Sequence, residues 1–257
     1  MLDVLNQVKT IAVEAGRYFK EQRDFKINEK DGASNIVTST DVKTQEMIIE
    51  RLRYILPEAK IIAEENDVKD YDDGYVWVID PIDGTTNFYY DMKLSCVSIA
   101  LLYKQKSIMG VVYNPYLNEL FYALKGEGSF LNGNPIQVNQ ADVTHSLFVV
   151  GTAPYKKAEN VDYTFSTLRK LFLAGRDIRR SGSAVLDLCY VASGRVDGFF
   201  EASLSPWDFS AGRIIIEEAG GIIEPIQPDA WRYDQPIGII AGNGNNFSFL
   251  QDASKRN

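Results

Sequence analysis

The chain has 257 residues, 45% hydrophobic and 24% charged, which allows one large domain or two small ones and excludes a disordered chain. Its 35 Asp and Glu against 27 Lys and Arg leave a net charge of −8, with one histidine (His145) and two cysteines (Cys96 and Cys189). That inventory excludes a structural zinc site, offers only His145 as the base of a serine or cysteine triad, and makes a poor nucleic-acid binder. His145 lies in the polar stretch Ala141–Ser146 and reads as a surface-loop side chain. The two distant thiols form no CxxC motif, which fits a reducing cytosol. Chemistry on this chain therefore falls to carboxylates, hydroxyls and a hard metal.

No stretch approaches the 18 apolar residues of a membrane span, and the N-terminus lacks the basic start and apolar block of a signal peptide. Leu2, Leu5, Val8, Ala12, Ala15 and Phe19 recur at helical spacing and predict an amphipathic first helix. A second helix is expected over Val42–Ile55, capped by Thr40 or Asp41 and ended before Pro57. The period then changes. Lys60–Ala63, Tyr75–Ile79, Cys96–Tyr103, Ile108–Tyr113 and Glu119–Leu124 are short β-branched or aromatic runs divided by turn residues, and Asn132-Gly133 is a hairpin signal. Beyond residue 140 the pattern alternates. Strands are expected at Leu147–Val150, Val196–Glu201, Gly221–Glu224 and Ile237–Ala241, with helices near Val161–Leu173, Ser183–Ala192 and Asp208–Ala219. The expected fold is mixed α/β, with a largely antiparallel N-terminal sheet (residues 1–140) and a mixed C-terminal sheet (residues 141–257). No Gly/Ser-rich linker divides the halves, so one compact unit is expected.

The stretch from Trp77 to Phe88 carries the most chemistry. An apolar strand is expected to end at Asp80, with Pro81 fixing a turn that brings Asp80 and Asp83 to one side and the Ile82 carbonyl between them. These are hard oxygen ligands suited to Mg²⁺. Gly84-Thr85-Thr86 follows with exposed amides, and a helix starting there is an anion site. Other motifs fail. Asp80 and Asp83 lack the Asp-x-Asp spacing of dehalogenase-type phosphatases, and no P-loop is present. A calcium loop centred on Gly74 would place Lys69 and Tyr71 at ligand positions, and Gly126-Glu127-Gly128 lacks the third Rossmann glycine. Taken alone, Glu64-Glu65 reads as a charged turn and Asp208, in Pro206-Trp207-Asp208, as a helix cap.

Together these segments resemble the inositol monophosphatase family of Mg²⁺-dependent, Li⁺-sensitive phosphatases. The resemblance runs in order through Asn35–Asp41, Glu64-Glu65, Trp77–Phe88, Gly182-Ser183-Ala184 and Trp207–Gly221. It implies an alternating α-β-α-β-α layered sandwich with the site where the halves meet. It implies two to three Mg²⁺ ions, the first on Glu64, Asp80 and the Ile82 carbonyl, the second on Asp80, Asp83 and Asp208, and a weaker third on Glu64. Gly84 and Thr85 correspond to phosphate-binding amides. Thr85 and Glu64 correspond to the pair that positions and activates the attacking water, and Asp41 to the carboxylate that orients Thr85. Gly182, Ser183, Ala184, Glu201 and Asp208 correspond to positions facing the substrate. Ala63 and Ser210 depart from the family's usual Gly and Ala, without removing a ligand.

What the resemblance implies is hydrolysis of a small phosphate monoester, inositol 1-phosphate or a related polyol phosphate. The alternatives are the 2′-phosphate of NADP(H), fructose 1,6-bisphosphate, and 3′-phosphoadenosine 5′-phosphate, with Arg176, Arg179 and Arg180 as candidates for a second phosphate. A non-catalytic relative would have lost a ligand, and every ligand position is intact. The expected partner is a small phosphorylated substrate, with neither nucleic acid nor membrane, in a cytoplasmic homodimer. Tyr89, Tyr90, Phe165 and Phe172 are candidates for its interface, with core packing as the default reading of each.

Overall fold

The computed structural model describes residues 1–23, 25–29, 36–65, 68–69, 74–227 and 231–256. Asn35 and Tyr71, which figure in the motifs above, lie outside them, as do Asn66 and Asp67 directly after Glu64-Glu65.

The first 140 residues give α1 (Leu2–Glu21), β1 (Ile27–Glu29), β2 (Ile36–Thr38), α2 (Ser39–Ile55), β3 (Lys60–Ala63), β4 (Val68–Lys69), β5 (Tyr75–Asp83), α3 (Thr85–Tyr89), β6 (Cys96–Tyr103), β7 (Lys106–Asn114), β8 (Glu119–Leu124), β9 (Gly128–Leu131) and β10 (Asn134–Pro135). The remainder gives β11 (Leu147–Val150), α4 (Lys157–Ala174), β12 (Asp177–Arg179), α5 (Ala184–Ala192), β13 (Gly198–Leu204), α6 (Pro206–Glu218), β14 (Ile222–Pro225), β15 (Ile237–Gly242) and α7 (Phe247–Ala253).

An eight-stranded sheet, ordered β10-β9-β8-β7-β6-β5-β3-β4, is antiparallel except where β3 runs parallel to β5. The five-stranded sheet, β12-β11-β13-β15-β14, mixes parallel and antiparallel pairs. Side-chain alternation then stacks the layers. On β5, Trp77 and Ile79 join the cluster under α1 and α2, whereas Val76 and Val78 face the inner cluster that contains α5 and α6. That inner helix pair lies between the sheets, contacting β5, β6 and β7 on one side and β13, β14 and β15 on the other. A third cluster packs α4 and α7 against the outer face of the second sheet. The order is α-β-α-β-α.

Both faces of the large sheet are buried, which is why its central strands read as continuous apolar runs rather than strict alternations. Asn132 and Gly133 turn the β9–β10 hairpin with φ of 51° and 86°, as the Asn-Gly signal requires.

The structure corrects three sequence expectations. The cap of α2 is Thr38 rather than Thr40 or Asp41; Asp41 is instead the third helical residue, returning a bond to the Thr38 amide in a capping box. Strand β5 does not stop at Asp80 but continues to Asp83 through a bulge. Tyr89, Tyr90, Phe165 and Phe172, given core packing by default, are 41%, 69%, 60% and 54% exposed. The short strand β12 and helix α7 had no clear signal in the sequence.

The inner layer is tightest where α6 crosses β7 at Gly110. A Cβ there would stand 2.6 Å from the Ala211 carbonyl oxygen and 2.7 Å from Ile214 Cγ2. The first of these is backbone, so the helix itself must yield. Gly110→Ala is expected to cost about 1–3 kcal/mol, the usual range for overpacking. At roughly 2–4 °C per kcal/mol for a chain of this size, thermal unfolding should show a clearly lowered midpoint. An unchanged midpoint would mean that α6 does not sit on β7 as described.

Candidate active site

The bulge in β5 builds the centre of the site. Asp80 opposes Ser98 and Asp83 opposes Cys96, so three steps on β5 match two on β6. One extra residue reverses the alternation, and both aspartates come to the inner face. Pro81 has no N–H to contribute to a ladder, which suits it to that interruption. The Ile82 amide donates to Asp80 Oδ1 at 3.0 Å. Helix α6 starts beneath this face and brings Asp208. Ligand oxygens of Asp80, Asp83 and Asp208 all lie within 4.8 Å of one another.

Three of the site's acids share a local arrangement, in which one carboxylate oxygen is tied to a helix N-terminus. Asp208 Oδ2 accepts the Ser205 amide at 2.7 Å in the capping box of α6. Asp41 Oδ2 accepts the Thr38 amide at 2.9 Å and the Thr38 hydroxyl, while its Oδ1 accepts the Thr85 hydroxyl at 3.0 Å. Asp83 Oδ2 accepts the Ser183 hydroxyl and the Val185 amide (3.0 Å) at the start of α5, with the Cys96 thiol 3.8 Å away. Ser183 also caps α5 by accepting from the Leu186 amide. Its hydroxyl, expected to face substrate, is thus committed to Asp83.

Burial pushes Asp80 and Asp208 well above the usual carboxylate range, and neighbouring acids push the same way. For Asp80 these are Glu64, Asp83, Asp208 and Asp41, in that order; for Asp208, Asp83 and Glu64 lead. Burial likewise raises Asp83 to about 6, against bonds from Ser183 and Val185 that lower it, and Asp41 to about 6, against the bond from Thr38. An all-oxygen cluster that repels itself this strongly fits a hard divalent cation. Glu64 follows β3, its amide bonded to the Ile79 carbonyl at 3.2 Å, which sets it beside Asp80. It stands outside the tight group of three, yet its charge acts on Asp41, Asp80, Asp83 and Asp208.

Gly84 adopts the left-handed conformation (φ 83°) as the cap of α3, and a Cβ there would stand 2.8 Å from the Leu94 carbonyl oxygen. The helix's own bonding begins with Phe88 N to Gly84 O, which leaves its first-turn amides unused within it. Asn87 spans the halves, its amide group donating to the carbonyls of Leu94 (2.8 Å) and Ser181 (3.0 Å).

Beside the carboxylates lies a cavity of about 260 Å³. Asp83, Gly84, Thr85, Gly182, Ser183, Ala184, Glu201 and Asp208 line it, as do residues that sequence reasoning had not assigned: Gly151, Ala153, Tyr155, Lys156 and Asp187. Asp41, Glu64, Asp80 and Ile82 are not among the residues that line it. Of the three arginines considered for a second phosphate, only Arg180 lines the cavity, and Arg179 pairs with Asp177. Glu201 is buried, Oε1 accepting the Ala153 amide at 2.8 Å and Oε2 pressed against Gly151. His145 is exposed and pairs with Asp142, away from the cavity.

Comparison with known proteins agrees with this geometry. The inositol monophosphatase family matches residues 2–256. The chain is 40% identical over 235 residues to the Nus factor SuhB of Escherichia coli (strain K12), covering 88% of this chain and 87% of that protein. It is 40% identical over 230 residues to the inositol-1-monophosphatase of Synechocystis sp., covering 88% and 79%. The crystal structure of the extragenic suppressor protein suhB from Bartonella henselae superposes with a TM-score of 0.89 at 32% identity, covering 99% of each chain.

Two outcomes follow from the site's electrostatics and packing. Carboxyls raised to about 6 bind protons more tightly folded than unfolded, so their stabilising contribution is full below about pH 4 and lost as pH rises through 6. For Asp41 alone, going from 3.8 to about 6 corresponds to about 3 kcal/mol. In a chelator, the unfolding midpoint of the wild type should therefore fall more steeply between pH 5 and 7.5 than that of Asp83→Asn, and Mg²⁺ should restore it at pH 7.5. Equal slopes would contradict the charge cluster. Separately, a Cβ on Gly151 would lie 1.9 Å from Glu201 Oε2. Because the obstructing atom ends a flexible side chain, Gly151→Ala should keep the fold and displace Glu201, raising KM for substrate at least tenfold. An unchanged KM would remove Glu201 from the positions expected to face substrate.

Proposed function

The chain belongs to the inositol monophosphatase family, a hydrolase of small phosphate monoesters with Mg²⁺, and from that membership we propose that its substrate is inositol 1-phosphate or a related polyol phosphate. The observation that carries this reading is the cavity's second wall. Besides Gly84 and Thr85, on the phosphate side in this reading, the cavity is lined by the buried carboxyls of Glu201 and Asp187, which suit an alcohol rich in hydroxyls.

Two to three Mg²⁺ ions would be held by Glu64, Asp80, Asp83, Asp208 and the Ile82 carbonyl, supplying charge neutralisation at the phosphate oxygens and acidity to a bound water. The protein's own groups do the positioning. The Thr85 hydroxyl donates to Asp41 Oδ1 at 3.0 Å, with the Ile82 carbonyl a second acceptor at 3.1 Å, so its oxygen keeps acceptor capacity for a water's proton. Asp41 can hold that hydroxyl firmly because its other oxygen is locked into the cap of α2. Glu64 takes the second role on the attacking water. The amides at the start of α3 receive the phosphate, an arrangement that needs no histidine and no covalent protein nucleophile. In this reading Gly182, Ser183 and Ala184 form the floor under the alcohol, with Ser183 acting through Asp83.

We further propose a cytoplasmic homodimer inhibited by Li⁺. Among the described residues no helix is long and apolar enough to cross a membrane, and the exposed Tyr89, Tyr90, Phe165 and Phe172 provide apolar surface for a second copy.

Phosphate release from inositol 1-phosphate, NADP⁺, fructose 1,6-bisphosphate and 3′-phosphoadenosine 5′-phosphate, with Mg²⁺ and with or without Li⁺, tests the substrate. The polyol phosphate is expected to lead in kcat/KM by about a hundredfold, about 2.7 kcal/mol of differential transition-state binding. A lead of that size for either nucleotide would replace the polyol reading.

A further inference from the structure

We propose that Asp187 is a specificity-determining residue, which with Glu201 forms a paired-carboxyl wall that selects phosphate esters of polyhydroxy alcohols; the proposal rests on the phosphatase reading of the same site.

Asp187 stands in the first turn of α5, three residues after Ala184, and the helical repeat sets both on the face that lines the cavity. It is only 2% exposed, and its Oδ1 has no hydrogen-bond partner. A buried carboxyl oxygen left in this state is costly and calls for a donor. The groups that act on it are few. Arg180 brings positive charge and Glu201 and Asp83 negative charge, while the neighbouring Ser181 hydroxyl donates to the Ser183 carbonyl at 3.2 Å.

Glu201 shares the wall and is fixed more firmly, with Oε1 held by the Ala153 amide and Oε2 against Gly151. Ala153, which provides that amide, sits in the left-handed region (φ 43°), a conformation an alanine adopts only under the constraint of its surroundings. Burial pushes both carboxyls up, Glu201 to about 7 and Asp187 well above the usual range. A buried carboxyl oxygen without a partner is an acceptor in want of a donor, and an alcohol hydroxyl supplies one. A second phosphate has acceptors only and carries charge that these acids oppose. Arg180, the one arginine on the cavity, acts on both carboxyls.

A site arranged to hydrogen-bond hydroxyls discriminates strongly against an analogue that lacks them, because its buried polar groups are then left unpaired. The experiment uses the full chain with Mg²⁺ and measures kcat/KM for inositol 1-phosphate and for cyclohexyl phosphate, which has the same ring without the hydroxyls. The wild type is expected to prefer the inositol ester at least tenfold. Asp187→Ala should reduce that preference ten- to hundredfold, chiefly through KM, and Asp187→Asn, which keeps an acceptor oxygen, should restore part of it. A parallel loss on both esters would assign Asp187 to folding alone and overturn the proposal. So would an unchanged preference in the variants, or equal use of the two esters by the wild type, a measurement that needs no variant to fold. Wild type that cleaves neither ester, nor p-nitrophenyl phosphate, would overturn the phosphatase reading and this proposal with it. Cleavage of p-nitrophenyl phosphate without preference for the inositol ester would overturn this proposal only.

Discussion

The structure depends on holding several carboxylates close together in its interior, and helix N-termini make that possible. Asp41, Asp83 and Asp208 each give one oxygen to the start of a helix, α2, α5 and α6 respectively. The positive ends of three helix dipoles and their free amides offset part of the charge that burial would otherwise forbid. Each acid is also oriented, because a tied oxygen fixes the direction of its partner. In Asp41 that second oxygen meets Thr85. Asp83 and Asp208 each bring a carboxylate oxygen to the cluster with Asp80. The offset is incomplete, as the upward displacement of all four acids shows. That residue of unfavourable charge is the affinity for a divalent cation, stored in the fold.

Layer order decides which helices can take part. Helices α5 and α6 lie between the two sheets, so their N-termini reach the inner face of β5, whereas α1 and most of α2 cover the opposite face. A regular β5 would send Asp80 and Asp83 to opposite faces. The single extra residue at Pro81–Ile82 brings them together, and Ile82 drops into the cluster beneath α1 and α2. Close contacts then hold the layers at working distance. Gly110 admits the backbone of α6, and Gly212 admits Leu188 of α5. The fold and the site are in this sense one construction, since the glycines that seat α6 also place Asp208.

Much of this was legible in the residues. Central strands announced themselves because both faces of the first sheet are buried, and the Asn132-Gly133 hairpin because its turn demands positive φ. The motif from Asp80 to Asn87 named the centre of the site through residue type and spacing alone. What stayed hidden depended on partners distant in sequence. Nothing local shows that Pro81 interrupts a strand rather than ending it, since the deciding pairing is with Cys96 and Ser98. That the Ser183 hydroxyl goes to Asp83, a hundred positions away, is likewise invisible in the local sequence. The strand β12 is three residues long and depends on pairing with β11. Asp187 did leave a signal. It is the only charge in the apolar helix Ala184-Val185-Leu186-Asp187-Leu188-Cys189-Tyr190-Val191-Ala192, and a lone acid in such a run has to be explained by something it faces.

The position of Asp187 also bears on how one scaffold can serve different phosphate esters. In the proposed reading the phosphate end of the cavity is set by α3 and by acids locked to helix caps, where any change disturbs the acid cluster and the fold together. The alcohol end is set by side chains with looser obligations. Glu201 is held by one amide, Asp187 has an oxygen to spare, and Lys156, Tyr155 and Arg180 stand at the rim. A substitution there alters which alcohol fits without touching the ligands of the metal. Specificity is therefore the part of this molecule that sequence change can reach most cheaply, and chemistry the part it can least afford to move. The net charge of −8 divides along the same line. The acids of the cluster suit divalent cations, those of the second wall lie in the field of Arg180, and the rest belongs to solvent.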